Sequence, residues 1–187
     1  MPVVIGIVAL IAIIAIWFIG AYNALVRLKA MLEEAFSGMD VFLKKRYDLI
    51  PNLVETVKGY ASHEQETLDR VISARNMAVN PNASIDERVQ NEQQLTGALN
   101  RLLAIVEQYP NLKADSQFLN LQSQLSSIEN EISQSRKYYN GAARGYNTKI
   151  AVFPSNIVAN MSGFKKAPYF EVESDAERQN VKVDFSK

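Results

Sequence analysis

The sequence predicts an all-α protein. A single N-terminal transmembrane helix leads into an antiparallel bundle of long helices, and a short extended or β-prone tail follows. The observations behind this prediction are an uncharged N-terminal run, apolar residues spaced by three and four through the middle of the chain, and short alternating runs near its end. They divide the 187 residues into a transmembrane anchor (1–22), a helical bundle (23–150) and an extended segment (151–187).

The N-terminal run from Pro2 to Tyr22 contains no charged side chain. As a helix rising about 1.5 Å per residue it spans roughly 30 Å, the thickness of a bilayer's hydrocarbon core. Trp17 and Tyr22 lie near one end, where amphipathic aromatic side chains favour the membrane interface. A cleaved signal peptide is the alternative, but it expects a preceding basic stretch and a small-residue cleavage site. Since the run has neither, we expect an uncleaved anchor.

The orientation of this anchor follows from the basic residues beside it. Arg27 and Lys29 come soon after the run, and no basic side chain precedes it. Basic residues favour the cytoplasmic side of a membrane. We therefore expect a single-pass protein with its N-terminus outside and its C-terminal domain in the cytoplasm.

The middle of the chain carries three apolar seams with helical spacing, at Leu25–Tyr60, Ile85–Tyr109 and Phe118–Tyr146. Such seams are typical of helices that pack on other helices. Arg46 is the one position that breaks the first seam.

Capping and turn residues mark the helix limits. The letters SIDE place Ser84 at an N-cap with Glu87 three residues on, which is a capping-box pattern. Pro81 and Pro110 mark turns. No strand-like alternation occurs before Ile150.

The stretch KKRYDLIPNLVETVKGYASHE, from Lys44 to Glu64, raises the question of a hinge. Pro51 removes one helical hydrogen bond, yet the seam keeps its phase, so we expect a kinked but continuous helix. Asp48 is expected to bond the backbone freed there. Gly59 is suited to a left-handed helix end, and Ser62 with a glutamine three residues on resembles a second capping box. These patterns predict a hinge and a helix junction.

Composition and spacing argue against most kinds of chemistry. The formal net charge is +0, there is no cysteine, and His63 is the only histidine, so thiol chemistry and histidine metal sites are excluded. A neutral chain argues against nucleic acid as the main partner. The pattern predicts no cofactor, no metal and no small-molecule substrate.

One set of charged residues has the side-chain types of general acid–base catalysts: Asp40, Lys44, Lys45, Arg46, Asp48 and Glu55. The favoured interpretation is a solvated helix face on which Asp40 and Lys44, four residues apart, face each other. In that interpretation Arg46 pairs with a carboxylate on a neighbouring helix. His63 beside Glu64 is interpreted as structural.

The tail after Ile150 has a different pattern. Pro154, Gly163 and Pro168 interrupt helices, and the runs PYFEVES and NVKVDF alternate as strands do. They are compatible with a small hairpin, with strand addition to another chain, or with a poorly ordered terminus.

The motif set resembles the LemA family. The matching elements are YNALV (22–26), MDVFLKKRYDLIPNLVETVKGYASHE (39–64), ISARN (72–76), the long run YPNLKADSQFLNLQSQLSSIENEISQSRKYYNGAARGYNTKI (109–150), FPSNIVA (153–159) and YFE (169–171). The resemblance covers nearly the whole chain. It implies a single-pass protein of the bacterial inner membrane with a helical-bundle domain and with membrane or envelope protein partners. It implies no reaction and no catalytic residues.

Three hypotheses for function follow. The leading one is a non-enzymatic membrane-anchored scaffold that self-associates, with the lipid bilayer and further copies as partners. The second is a transmembrane sensor or adaptor for a membrane or envelope protein, with its hinge near Pro51 and the segment 59–62. A hydrolase using His63 or Asp48 is the third and the least supported.

Overall fold

The computed structural model describes residues 1–170, and these form six α-helices with no strand among them. In chain order the helices are α1 (Pro2–Tyr60), α2 (Gln65–Ala78), α3 (Ile85–Val106), α4 (Pro110–Lys113), α5 (Ser116–Ala151) and α6 (Ser155–Met161). The predicted all-α class is confirmed for this part of the chain. The run NVKVDF and most of PYFEVES lie outside the described residues.

Helix α1 is uninterrupted over 59 residues, roughly 88 Å at about 1.5 Å per residue. Its side chains up to Trp17 are all exposed, and this part is long and apolar enough to cross a membrane. From Ala21 onward buried side chains recur at helical spacing, because this part of α1 packs on other helices. The division at residue 22 stays a prediction, since α1 continues across it without a break.

Helix α5 packs along the second part of α1. Three contacts give the register: Tyr60 donates a hydrogen bond to Asp115 (3.0 Å), Arg46 donates to Glu129 (2.8 Å), and the rings of Phe36 and Tyr139 lie 5.8 Å apart. As the residue number in α1 increases, the number of its contact partner in α5 decreases. The two helices therefore run in opposite directions.

Helices α2 and α3 pack on each other, and α2 also packs on α1. The predicted capping box at the start of α3 is confirmed. The Ser84 hydroxyl accepts from the Glu87 amide (3.3 Å), and the Ser84 amide donates to the Glu87 carboxylate (2.7 Å). Each bond satisfies a backbone amide that a helix start would otherwise leave unpaired.

The junction between α1 and α2 differs in detail from the prediction. The Ala61 amide still donates to the Val57 carbonyl (2.8 Å), so α1 keeps its helical bonding past Gly59, which does not adopt a left-handed conformation. The N-cap of α2 is Glu64 rather than Ser62, and no side chain caps this helix. The turn therefore falls at residues 61–64, and Ala61 at its start is buried.

Helix α6 corrects the prediction that the whole segment after residue 150 is extended. The Ser155 hydroxyl donates to the carbonyls of Lys149 (2.7 Å) and Val152 (3.0 Å), which bonds the turn between α5 and α6. Val158 and Ala159 are fully buried. Because α6 packs on both α1 and α5, burial of these side chains favours a helix between the breaks at Pro154 and Gly163.

Residues 164–170, here called the strap, have no regular secondary structure and lie along α5. The Asn147 side chain donates to the Ala167 carbonyl (2.9 Å) and accepts from the Ala167 amide (2.8 Å). Asn140 makes the same pair of bonds with Phe170, at 2.8 and 2.9 Å. Seven residues separate the two asparagines, so one face of α5 supplies the bonding that a neighbouring strand would give. The strap runs towards the start of α5.

Candidate functional site

A group of charged side chains with a buried centre and a half-buried rim lies where α1, α3 and α5 meet. We call it the charge cluster: Arg46, Tyr47, Glu92, Thr96, Glu129 and Arg136. Arg46 is fully buried and Glu92 is 1% exposed. A buried charge is tolerated only when it is paired and hydrogen-bonded, so the partners of these groups determine what the cluster does.

Arg46 is the centre of the cluster. It donates to Glu129 from Nη1 at 2.8 Å, to the Thr96 hydroxyl from the same nitrogen at 3.3 Å, and to Glu92 from Nη2. One planar guanidinium thereby bonds side chains from α3 and α5 while its own backbone belongs to α1. Within residues 1–170 its Nε, which is also buried, has no hydrogen-bond partner.

Glu92 receives bonds from several directions. The Tyr47 hydroxyl donates to Oε1, Arg46 donates to Oε2, and the Arg136 guanidinium lies 3.8 Å from Oε2. With two guanidinium groups and two carboxylates, the formal charges of the cluster cancel. Such a balanced set needs no external counter-ion.

Burial and pairing shift the pKa values in this cluster. Desolvation acts to lower the pKa of Arg46, but the charges of Glu92 and Glu129 outweigh it and raise that pKa above its ordinary value. Desolvation also raises the pKa of Glu92, and Arg46 and Tyr47 offset part of that effect. Burial and the neighbouring Glu92 raise the pKa of Tyr47, so its hydroxyl stays protonated and acts as a donor.

The arrangement is suited to positioning helices rather than to reacting with a substrate. The terminal nitrogens of Arg46 donate to protein acceptors, and the Glu92 carboxylate accepts from Arg46 and Tyr47. Truncating one member of a buried pair leaves the other charge uncompensated, which is strongly unfavourable. A shift of α3 or α5 along α1 would produce that situation, so the cluster fixes the relative register of three helices.

The sequence prediction for Arg46 is confirmed in its main point and wrong in another. Arg46 does pair with carboxylates on neighbouring helices, as expected. It does not belong to a solvated face, because it is wholly buried. Glu92, Glu129, Thr96 and Arg136 were missed. A signal for Glu92 existed, since it fills the i+3 position after Val89 on the seam of α3.

The other predicted pairings are different in the structure. Asp48 accepts from Lys44 at 2.7 Å instead of bonding backbone freed by Pro51. Asp40 accepts from Arg88 at 2.8 Å instead of facing Lys44. Asp48 pairs with a lysine one turn earlier on the same helix. Asp40 pairs with an arginine on the neighbouring helix α3.

The remaining predicted site residues are spread along α1 and its end. Pro51 is half-buried inside α1, and Gly59, Ser62 and His63 are exposed near its end. Trp17 and Tyr22 are partly exposed, 39% and 41%, near the end of the apolar run. A hinge role for the first group and an interfacial role for the aromatic pair stay predictions. Among residues 1–170, no three or more histidine, aspartate or glutamate side chains cluster as metal ligands.

The sequence is similar to several known proteins. Magnetosome protein MamQ 2 of Paramagnetospirillum magneticum is 28% identical over 193 residues, covering 90% of this chain and 71% of the relative. Protein LemA of Metamycoplasma hominis is 28% identical, covering 91% and 76%. Magnetosome protein MamQ of Magnetospirillum gryphiswaldense is 27% identical, covering 80% and 64%. The family model of the LemA family matches residues 35–185, from the second part of α1 onward, and the chain belongs to the LemA family.

Proposed function

We propose that this chain is a non-enzymatic, membrane-anchored scaffold that associates with further copies of itself. The observation that carries the proposal is α1, whose exposed apolar first part and packed second part form one helix of 59 residues. This unbroken helix connects the candidate membrane span directly to the folded body, which is formed by the second part of α1 together with α2 to α6. The opposed α1 and α5, with α2 and α3 beside them, support an antiparallel long-helix bundle as the body.

The proposed topology is a single pass through the bacterial inner membrane, with the body in the cytoplasm. Membership of the LemA family and the apolar run support a membrane location. The support for the orientation is Arg27 and Lys29, the first basic residues after the run, since basic residues favour the cytoplasmic side.

Self-association is supported by an open groove between α3 and α5. The groove has a volume of about 390 Å³, and Leu99, Leu103 and Leu125 lie on its walls. Polar side chains, including Gln122 and Ser126, border these leucines. An apolar floor with a polar rim is the usual anatomy of a protein interface. We assign the groove to a helix of a second copy.

The charge cluster supports a scaffold rather than an enzyme. Its charges balance within the protein, and its hydrogen bonds hold α1, α3 and α5 in register. Rigid presentation of helical surfaces is what a scaffold requires. Arg46 and Glu92 at the centre of the cluster are buried, whereas a general acid or base has to reach a substrate.

The test is the mass of the full chain after extraction in mild detergent, measured by light scattering with the detergent contribution subtracted. We expect a particle containing several copies of the 21.0 kDa chain. Leu103→Arg places a charge in the groove and should reduce the particle to single chains. Tyr138→Arg is the matched control, because Tyr138 is 62% exposed on another face of α5. A single-chain particle for the unmodified protein would contradict self-association.

A sensor or adaptor for a membrane or envelope protein is the second candidate. The observation that favours it is Pro51, which interrupts the hydrogen bonding inside α1 without ending the helix. A partner that bends α1 there, or that moves the turn at residues 61–64, should change protease cleavage near Tyr60. Limited proteolysis of the full chain with and without co-purifying membrane proteins measures this. An unchanged cleavage pattern would count against the sensor.

A further inference from the structure

The turn from α5 into α6 exposes a compact apolar surface. We call it the corner patch: Val152, Phe153, Ile157 and Met161. Phe153 is 80% exposed and Met161 is 72% exposed. Ile157 and Met161 are four residues apart and lie on one face of α6, while Val158 and Ala159 face the body. Large apolar side chains grouped in this way mark a surface that meets something other than water.

The corner patch lies beside the end of the apolar run of α1. The ring of Phe164, three residues after Met161, contacts Tyr22, the last residue of that run, at 5.8 Å between centroids. Ala21 is buried and Phe18 is half-buried, so the folded body reaches back over the last turn of the run. A helix of seven residues is only about 10 Å long. The patch is therefore at the level where a spanning helix leaves the bilayer.

Basic side chains surround this position. Lys165 and Lys166 follow the patch in the strap and are exposed, and Arg27 is exposed on α1. Lys29, Glu33 and Lys165 lie on the walls of a groove of about 620 Å³ between α1 and the start of the strap. Lys29 pairs with Glu33 at 3.7 Å, so Lys165, Lys166 and Arg27 supply the excess positive charge. A cationic rim beside apolar side chains complements the anionic headgroups and acyl chains of a membrane surface.

We propose that the corner patch is a second membrane contact. In this arrangement Phe153, Ile157 and Met161 enter the headgroup–acyl boundary while the neighbouring lysines bind anionic headgroups. The proposal rests on the membrane anchor of the proposed function. It adds that the body lies against the bilayer through α6 and is not held away from it on α1 alone. A second copy is a poorer occupant, because stable interfaces bury about 800 Å² from each partner and four side chains provide much less.

The absence of cysteine from the sequence allows single-cysteine labelling of the full chain. Met161→Cys carries an environment-sensitive fluorophore at the patch, Ile13→Cys carries it inside the apolar run, and Val41→Cys carries it on the body. All three positions are exposed, so labelling disturbs no packing. Each labelled protein is reconstituted into nanodiscs of phosphatidylcholine and phosphatidylglycerol containing nitroxide-labelled lipids. Circular dichroism checks that the helix content is unchanged.

We expect nitroxides near the headgroup to quench the emission at position 161, because side chains that enter the interface lie at headgroup depth. Emission at position 13 should be reduced by nitroxides deep in the acyl chains, and emission at position 41 should not change. Changing Lys165 and Lys166 together to glutamine should weaken the quenching at position 161.

Three other results would contradict the proposed second membrane contact. Quenching at position 13 without quenching at position 161 overturns the second contact and leaves the anchor standing. Absence of quenching at position 13 removes the anchor and the second contact together. Disulfide-linked dimers of unlabelled Met161→Cys, with no lipid quenching of the labelled protein, would assign the patch to a second copy and overturn the proposal.

Discussion

The two parts of α1 share one backbone and have opposite surroundings. Up to Trp17, apolar side chains face outward all round the helix and nothing in the described structure covers them. From Ala21 to Tyr60 buried apolar side chains form a stripe that other helices cover, and the exposed positions include charged side chains such as Lys44, Glu55 and Lys58. A helix that is apolar all round needs a non-aqueous environment, and a striped one needs neighbouring helices. The comparison indicates that the surroundings, and not the helix itself, change near residue 21.

The largest expected effect concerns Arg46, the buried cation in the second part of α1. Arg46→Met should lower the free energy of unfolding by about 3–5 kcal/mol, because it leaves Glu92 buried without its main cation. Urea unfolding of the full chain in detergent, followed by circular dichroism, measures this. Arg46→Met combined with Glu92→Met should recover part of the loss, since it removes both charges.

The matched control for that change lies two residues away on α1. Lys44 pairs with Asp48 at the surface, with 75% and 58% of the two side chains exposed. Lys44→Ala should change the free energy of unfolding by no more than about 0.5 kcal/mol. Equal effects of the Arg46 and Lys44 changes would mean that burial does not distinguish the two pairs.

The next effect concerns the apolar part. Ile11→Arg should oppose membrane insertion by about 2.5–3.5 kcal/mol, the cost of an arginine at the centre of a spanning helix. The measurement is the fraction of the full chain retained in membranes after carbonate extraction. Val41→Arg is the control, because Val41 is 56% exposed on the same helix and Ile11 is 60% exposed. Equal retention of the two variants would contradict a membrane role for the first part.

A smaller effect is expected for the strap. Asn147→Ala removes both hydrogen bonds to Ala167 and should lower the free energy of unfolding by about 1–3 kcal/mol. Hydrogen exchange at the Ala167 amide should accelerate with it. Asn120→Ala, an exposed asparagine on the same helix, should leave both quantities nearly unchanged. An unchanged exchange rate at Ala167 would show that Asn147 does not hold the strap.

The smallest expected effect concerns Asp115, which lies where the end of α1 meets the start of α5. Hydrogen bonds from the Phe118 amide and the Tyr60 hydroxyl hold the pKa of Asp115 below its ordinary value. A lowered folded-state pKa contributes stability that is present above the ordinary pKa and is lost as the pH falls through the folded value. The urea midpoint should therefore fall more steeply below about pH 4 in the unmodified chain than in Asp115→Asn. Parallel midpoints would remove Asp115 from the acid response.

Much of the fold could be predicted because it depends on periodicity and local capping. The seams of α1, α3 and α5 and the cap at Ser84 are local patterns. The charge cluster could be predicted only in part. Arg46 interrupts one seam and Glu92 fills a gap in another, but nothing local to either says that they meet.

The missed features depend on long-range contacts. Helix α6 has seven residues between two breaks, and its stability comes from packing on α1 and α5 rather than from its own sequence. The bonds from Asn140 and Asn147 to the strap reach 30 and 20 residues along the chain, respectively. Patterns of three or four residues do not carry that information.

We propose that α1 connects the membrane span to the folded body as one rigid helix. Spin labels on Val8→Cys and Val41→Cys, in full chain diluted with unlabelled protein in nanodiscs, test it by pulsed electron–electron distance measurement. We expect one narrow distribution near roughly 50 Å, the length of 33 helical residues at about 1.5 Å each. A broad distribution, or one centred at a much shorter distance, would show a flexible joint between span and body and would contradict the claim.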